Sequence, residues 1–304
     1  MSAVELSVVV VSWRAGADVE EIARELPLDP ALELIVVDNS GDVAGGLEDG
    51  ARVRRIAPGR NLGFAGGANA GVAVARAPRV LLLNPDVRAR GDAYRKLLEA
   101  FDRHPTAAGL VPRLVSPDGS PQCAWQLKPL PGPLALLAHA LFWDPVRGPR
   151  REPAEGTRVE QPAAAALALR RDVLDEIGGF DAGFHPAWFE DVDLARRLAQ
   201  RGHRLLYAPE AVFEHRGGAS VDQLGYAGFL RAYDRNLARY LRLHHGPAWA
   251  LAFRALVPVG ALARVLLLPV RCPRRAASRS AAASALWQVA RAAGAGWPDP
   301  EPSP

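Results

Sequence analysis

The sequence predicts an α/β fold with a mainly parallel central sheet, and three observations carry that expectation. Leu6 to Val11, Leu34 to Val37 and Val80 to Leu83 are short, almost unbroken apolar runs rich in β-branched residues. Such runs fit strands buried on both faces. Each stops at a polar cluster: Ser12-Trp13, Asp38-Asn39-Ser40-Gly41 and Asn84-Pro85-Asp86. Helical stretches lie between them, the rhythm of a parallel sheet with helices on both faces.

The elements follow in order. A helix is expected from about Ala17 to Leu26, ended by Pro27, and a short strand from Arg52 to Ile56. The segment NLGFAGGANAG, Asn61 to Gly71, reads as a glycine-rich loop running into an alanine-rich helix. Tyr94 to His104 reads as a helix, and the Pro- and Gly-rich stretch from Pro112 to Pro162 as a long, substrate-specific excursion. Regular structure resumes with a strand at Ala163 to Leu169, helices at Arg171 to Ile177 and Glu190 to Arg201, and two short strands at Arg204 to Tyr207 and Ala211 to Glu214. Gln223 to Leu243 and Trp249 to Val270 read as helices despite Pro258 and Pro269, and the Pro-rich end after Gly296 is expected to fray. The expected division is a catalytic domain, 1–222, and a helical basic extension, 223–304.

With 304 residues, 49% hydrophobic and 23% charged, the chain has the composition of an ordinary globular protein and length enough for a full core. Cys123 and Cys272 are far apart and form no C-x-x-C, so neither a disulfide framework nor a zinc site is expected, and the cytoplasm is the natural compartment. The start, MSAVELSVVVVSW, lacks the basic leader of a signal peptide and reads as a buried strand. No stretch reads as a clear transmembrane helix. The net charge is +4, and from Arg231 onward eleven arginines face only Asp234, Asp299 and Glu301. That basic end can meet an anionic surface, membrane or nucleic acid.

In open parallel sheets, ligands bind beyond the carboxyl ends of the strands, so the three polar clusters can converge on one crevice. A carboxylate at Asp86, directed by Pro85, can hold a divalent cation that neutralises a diphosphate, or it can simply close a turn. Asp38 can contact a nucleoside or form an Asx turn with Asn39 and Gly41. The glycines of 61–71 permit close backbone approach to a ligand, or tight helix–sheet packing. They do not form G-x-G-x-x-G after the first strand, which argues against a nicotinamide-dependent oxidoreductase. Glu190, Asp191 and Asp193 sit at a helix start, where the dipole favours acids, and Asp193 is spaced to pair with Arg197 on the helix surface. Glu190 or Asp191, beside Trp188 and Phe189, can instead meet a sugar hydroxyl, one of them as general base. His215 is a structural histidine or a ligand, and the HRGGAS segment that it opens is a polar loop able to close over phosphates.

In their order along the chain, SVVVVSW, IVVDNS, NLGFAGGANAG, LLLNPD, IGGFDAGFHPAWFEDVDLARRL and HRGGAS resemble the family 2 glycosyltransferases, in particular the rhamnosyltransferase-like branch. The resemblance runs from Leu6 to about Ser220, and GGFD followed by FEDVDL is its most specific part. It implies a GT-A fold. It also implies that Ser12, Trp13 and Asp38 meet the nucleoside, and that Asn61, Gly63, Phe64, Asn69, Asn84 and Asp86 complete the nucleotide-sugar site. Asp86 and His215 would hold Mn²⁺ or Mg²⁺. Asp191 would be the base with Glu190 beside it, and Trp188 and Glu190 would meet the acceptor. The sequence departs from the family pattern at Asn84, in place of the first acid of D-x-D, at Trp13-Arg14, and at Ala163 to Ala166, where glycine is usual.

The mechanism so implied is a single inverting displacement with no protein nucleophile. Its donor would be a nucleoside-diphosphate sugar such as deoxythymidine-diphosphate rhamnose. The acceptor would be a glycan or a lipid-linked sugar at the inner face of the cell membrane, with no nucleic-acid partner. A non-catalytic nucleotide-sugar or glycan-binding module on the same fold is the competing expectation. The oligomeric state stays open.

Overall fold

The computed structural model describes residues 3–43, 52–141, 146–149, 151–217, 219–270, 272–273 and 275–297. The first half consists of β1 (Leu6–Ser12), α1 (Gly16–Glu25), β2 (Leu32–Asp38), β3 (Val53–Ile56), α2 (Gly63–Val74), β4 (Arg79–Leu83), β5 (Val87–Ala89) and α3 (Ala93–Arg103). Then come β6 (Gly109–Val115), α4 (Cys123–Gln126), β7 (Leu127–Lys128), α5 (Pro133–Ala140), β8 (Arg158–Val159), β9 (Gln161–Pro162) and β10 (Ala166–Arg170). The chain continues through α6 (Arg171–Ile177), α7 (Glu190–Gln200), β11 (Leu205–His215), α8 (Ala219–His244), α9 (Pro247–Leu267) and α10 (Arg279–Gly294).

The main sheet has the order β3-β2-β1-β4-β10-β6-β11-β5, with β8 added to β11. Strands β3, β2, β1 and β4 run parallel, as do β6 and β11, whereas β10 is antiparallel to both its neighbours and β5 is antiparallel to β11. β10 therefore enters the middle of the sheet from the opposite end.

Side chains alternate along each strand. Val8, Val10, Leu34 and Val36 pack in one core layer with Val19 and Ile22 of α1 and Leu97 and Phe101 of α3. Val9, Val11 and Ile35 pack in the other, with Ala65 and Ala68 of α2 and Leu194 and Leu198 of α7.

Three segments depart from the sequence expectation. The glycine-rich segment is not a loop before a helix: from Gly63 onward it is the helix α2 itself. A Cβ on Gly67 would lie 2.6 Å from Val11 Cγ1 and one on Gly71 would lie 2.3 Å from Val9 Cγ1, so the glycines let the helix backbone sit on β1. Gly71→Val is expected to lower stability by about 1–3 kcal/mol through overpacking. Chemical unfolding measures it, and an unchanged midpoint would refute this seating of α2.

The Pro112 to Pro162 segment opens as the strand β6, not as irregular chain. Pro112 lies beyond the residues of β6 that pair with β10, and its partner Ala208 stands at the register shift in β11. That same shift, beside Pro209, joins the two expected short strands into one irregular strand, β11. Proline is tolerated at such interruptions because the ladder lacks a bond there anyway.

Helices α8, α9 and α10 pack together and against α5 around Leu237, Tyr240, Phe253, Val257, Leu286 and Val289, and this core takes in Phe184, Phe189 and Val192. By length and composition, α9 is the one helix among the described residues able to cross a membrane, whereas no such stretch was expected. Its inner face is buried by its neighbours. Its arginines turn inward: Arg254 donates to the Ala293 carbonyl and Arg264 to that of His139. Leu251, Val259, Leu262 and Leu266 remain more than half exposed on the outer face.

Candidate active site

A cavity of about 900 Å³ opens beyond the carboxyl ends of β1, β2 and β4, lined there by Val11, Trp13, Asn39, Asn84, Pro85 and Asp86. Across it stand Ala163 to Ala165, the 186–191 segment and His215. Its far end is walled by Leu136 and His139 of α5, Phe229, Tyr233 and Leu237 of α8, and Arg275.

On the α2 side, the Arg14 guanidinium lies 5.0 Å from the centre of the Trp13 ring. Asn39 donates to the Gly63 carbonyl (3.1 Å) and accepts from Leu62 N (3.2 Å), tying the end of β2 to the start of α2. Asn61 Oδ1 accepts from Gly63 N at 2.8 Å. Gly63 has φ +69°, and a Cβ there would lie 2.7 Å from the Pro186 carbonyl oxygen, so this junction requires glycine. Phe64 N donates to the same carbonyl. Asn61, Gly63 and Phe64 all line the cavity.

Three expected donor-site residues do not line it. Ser12 and Asp38 are register partners at the ends of β1 and β2, so both side chains point to the face opposite Val11, Trp13 and Asn39. Asp38 accepts from the Ser40, Gly41 and Val43 amides and from Arg55, the Asx-type arrangement. Ser12 is fully buried. Asn69 clamps the GGFD turn instead, accepting from Phe180 N (2.9 Å) and donating to Phe180 O (2.8 Å).

At the centre, Asn84 N donates to the Ala165 carbonyl (2.8 Å), and Arg216 N donates to the Asp86 carbonyl (3.1 Å). These bonds bring β10 and the end of β11 to the β4 terminus. Asp86 Oδ2 consequently lies 3.6 Å from His215 Nε2. Burial pushes the His215 imidazole below its ordinary value, and the Asp86 charge opposes that shift. Gln122 bonds His215 Nδ1 at 2.8 Å, and the Trp125 indole stacks on the imidazole with ring centres 5.0 Å apart. Of the HRGGAS segment, Gly217 lines the cavity, while Gly218 lies outside the described residues. Among the described residues, no cluster holds three or more His, Cys, Asp or Glu side chains placed to bind a metal.

The acidic pair stands on the other wall. Trp188 (φ +76°) and Phe189 (φ +71°) are consecutive non-glycine residues in the left-handed region, a conformation costing on the order of 1–3 kcal/mol each. Buried Asn236 of α8 holds the turn by donating to the Ala187 (2.8 Å) and Trp188 (3.0 Å) carbonyls. The turn leads directly into Glu190 and Asp191 at the start of α7. Burial, then the Asp191 charge, pushes Glu190 well above its ordinary value, and its Oε2 is buried without a hydrogen-bond partner. Burial also raises Asp191, but Val192 N (2.8 Å), Ala164 N (3.3 Å) and the Lys128 charge offset this. Of the two, Asp191 is therefore better able to carry the negative charge. Asp193 does pair with Arg197 (2.8 Å), yet inside the protein and not on the surface: it is 2% exposed and also bonded to His244 of α8.

Asn236, Gln122 and Lys128 are the residues that sequence reasoning missed. Nothing local distinguishes them, because their roles arise only from contacts with distant segments.

The cavity thus combines a crevice at the strand ends, a carboxylate and an imidazole at its centre, and a buried acidic pair opposite. The model of glycosyl transferase family 2 matches residues 7–178, and the chain belongs to that family. Its fold is GT-A. The N-acetylglucosaminyl-diphospho-decaprenol L-rhamnosyltransferase of Mycobacterium tuberculosis is 28% identical over 274 residues, which cover 82% of this chain and 88% of that protein. An uncharacterized protein of Mycobacterium bovis is 30% identical over 237 residues, covering 75% of this chain and 80% of its own. Among solved structures, a mannosyltransferase of Pyrobaculum calidifontis in complex with GDP-Man and Mn²⁺ superposes with a TM-score of 0.53 at 16% identity, covering 98% of this chain and 88% of its own. GalNAc-T7 with UDP, GalNAc and Mn²⁺ gives 0.54 at 17% identity, over 79% of this chain and 48% of its own.

Proposed function

We propose that this glycosyltransferase is a metal-dependent inverting enzyme that moves rhamnose from a nucleoside-diphosphate donor to a lipid-linked acceptor. The observation that carries the reading is the convergence of Asp86 with His215, and of Glu190 with Asp191, on opposite walls of one cavity. The rhamnosyl donor and lipid-linked acceptor are supported by the name of the Mycobacterium tuberculosis relative. Mn²⁺ is supported by the titles of the two superposed structures.

Asp86 and His215 fit a divalent cation, since a hard carboxylate oxygen and an imidazole nitrogen face each other at 3.6 Å. Two protein ligands suit a cation that shares its remaining positions with substrate phosphates. When bound, such a cation supplies charge neutralisation for the departing diphosphate. The Gly63 end of α2 brings its backbone to the donor side, while Trp13 and Asn39 frame the nucleoside. Asp191 takes the proton of the acceptor hydroxyl as that oxygen attacks the anomeric carbon, and the bond to the diphosphate breaks on the opposite face. Burial and the Asp191 charge raise Glu190, so the negative charge is held better on Asp191. Trp188, at the cavity wall, meets the acceptor sugar.

In this reading residues 1–222 carry the donor site and the acidic pair, while 223–304 wall the far end of the cavity and bring the enzyme to the cytoplasmic face of a membrane. The outward apolar face of α9, with its arginines turned inward, supports an interfacial placement better than a spanning one. The full chain is expected to float with anionic liposomes, and recovery entirely in the soluble fraction would refute the membrane assignment. A thermal-shift screen of nucleoside-diphosphate sugars with and without Mn²⁺ tests the donor. Deoxythymidine-diphosphate rhamnose is expected to give the largest Mn²⁺-dependent rise in Tm. A larger response to another sugar would overturn rhamnose, and binding without transfer would favour the non-catalytic module.

A further inference from the structure

We infer that Gln122 is a positioning residue that fixes the tautomer of His215, so that the Nε2 lone pair faces Asp86 and the two groups form a ready-made seat for a divalent cation. The inference rests on the metal reading above and deepens it.

The side-chain amide of Gln122 makes three contacts. Its Nε2 donates to the His215 backbone carbonyl (2.9 Å) and to Ser116 Oγ (3.1 Å). Its Oε1 faces His215 Nδ1 at 2.8 Å. A backbone carbonyl only accepts, so the amide nitrogen must lie on that side and Oε1 must face the ring. Oε1 only accepts as well, so Nδ1 carries the hydrogen. In the neutral ring Nε2 is then the bare nitrogen, and it stands 3.6 Å from the Asp86 carboxylate. Two acceptors turned toward each other have no bond to make between them, and either a proton on Nε2 or a metal cation resolves the conflict. A histidine ligand whose other nitrogen is held by an acceptor is oriented in this way at metal sites generally.

The support beneath Gln122 is equally specific. Gln126 is fully buried; it accepts from Leu114 N (3.2 Å) and donates to the Pro112 carbonyl (2.6 Å), which pins α4 to β6. α4 also carries Trp125, whose indole lies 25° from coplanar with the imidazole and stacks on it. The beginning of the Pro- and Gly-rich segment thus builds a frame around one imidazole, with an acceptor in its plane and an aromatic ring on its face.

The test uses the full chain with ¹⁵N-labelled histidine. In the metal-free protein at neutral pH, the His215 ring is expected to show a protonated Nδ1 and a bare Nε2, assigned by loss of the signal in His215→Gln. The opposite tautomer overturns the inference without any variant. Mn²⁺ binding, read by electron paramagnetic resonance with thymidine diphosphate present, is expected to weaken about 10–100-fold in Gln122→Met. The Nδ1-protonated signature should be lost in the same variant. Gln122→Glu keeps an acceptor opposite Nδ1 and is expected to recover most of both. Unchanged Mn²⁺ affinity in Gln122→Met overturns the inference, and so does weaker affinity with the tautomer intact. If Gln122→Met fails to fold, the wild-type spectrum and Gln122→Glu still decide. A wild-type protein with the expected tautomer and no Mn²⁺ affinity would refute the metal reading while leaving the tautomer assignment standing.

Discussion

Asp191→Asn is expected to lower kcat by about 10²–10⁴-fold, the usual contribution of a general base, while leaving donor binding unchanged. The choice between the two acids follows from their surroundings. Glu190 is desolvated with an unpartnered oxygen, whereas Asp191 accepts two backbone N–H bonds and lies in the field of Lys128. The negative charge is therefore held better on Asp191 than on Glu190. The sign of the pH dependence follows. Asp191 works only when deprotonated, so turnover rises with pH through its pKa, which burial lifts above the ordinary aspartate value. The acidic limb of the wild-type profile should thus lie above the usual aspartate range and vanish in Asp191→Asn. Steady-state kinetics across the acid range measures both. Wild-type turnover in Asp191→Asn would remove Asp191 from the mechanism.

Asp86→Ala is expected to abolish Mn²⁺-dependent transfer while leaving Tm nearly unchanged. Loss of a charge-stabilising group at a developing anion typically costs about 10²–10³-fold in rate. Losing the carboxylate that seats a cation removes that cation's contribution as well. The fold should tolerate the change, because Asp86 is positioned through its backbone: its carbonyl accepts from Arg216 N, and its side chain faces His215 at the cavity. Transfer assayed over a Mn²⁺ titration, beside a thermal melt, separates loss of chemistry from loss of structure. Retained transfer would overturn the assignment of Asp86.

Much of the fold was legible because burial on both faces leaves a plain mark. β1, β2 and β4 are buried throughout apart from Arg79, and their sequences are apolar except at Ser7, Ser12, Glu33, Asp38 and Arg79. What misled were residues whose usual meaning was overruled by neighbours. Glycines that suggest a loop form α2, because β1 leaves no room for side chains there. Pro112 and Pro209 suggest breaks, yet they stand where the ladder is already interrupted. α10 went unforeseen because an alanine-rich stretch has little amphipathic contrast.

The site shows the same division. Strand ends located the crevice, so Trp13, Asn84 and Asp86 fall on its wall. Strand-end position does not state which face a side chain takes, and so Ser12 and Asp38 turn away while Asn39 turns in. Asn236 lies 46 residues beyond Glu190 in number but adjoins the turn that aims it, a contact that no motif encodes.

The reversed strand β10 has a consequence for how the molecule is made. It separates β4 from β6, and it is synthesised after both. Until residues 166–170 emerge, β4 lacks its partner on that side, so any sheet formed by β3, β2, β1 and β4 has an open edge where β10 belongs. Open edges invite pairing with other chains. The gap between β4 and β6 closes with the same segment that delivers Ala164 and Ala165 to Asp191 and Asn84. Joining β4 to β6 is therefore coupled to building one wall of the site, which α7 and β11 then complete. Slow supply of β10 during synthesis would leave an aggregation-prone chain, not a folded enzyme that lacks activity.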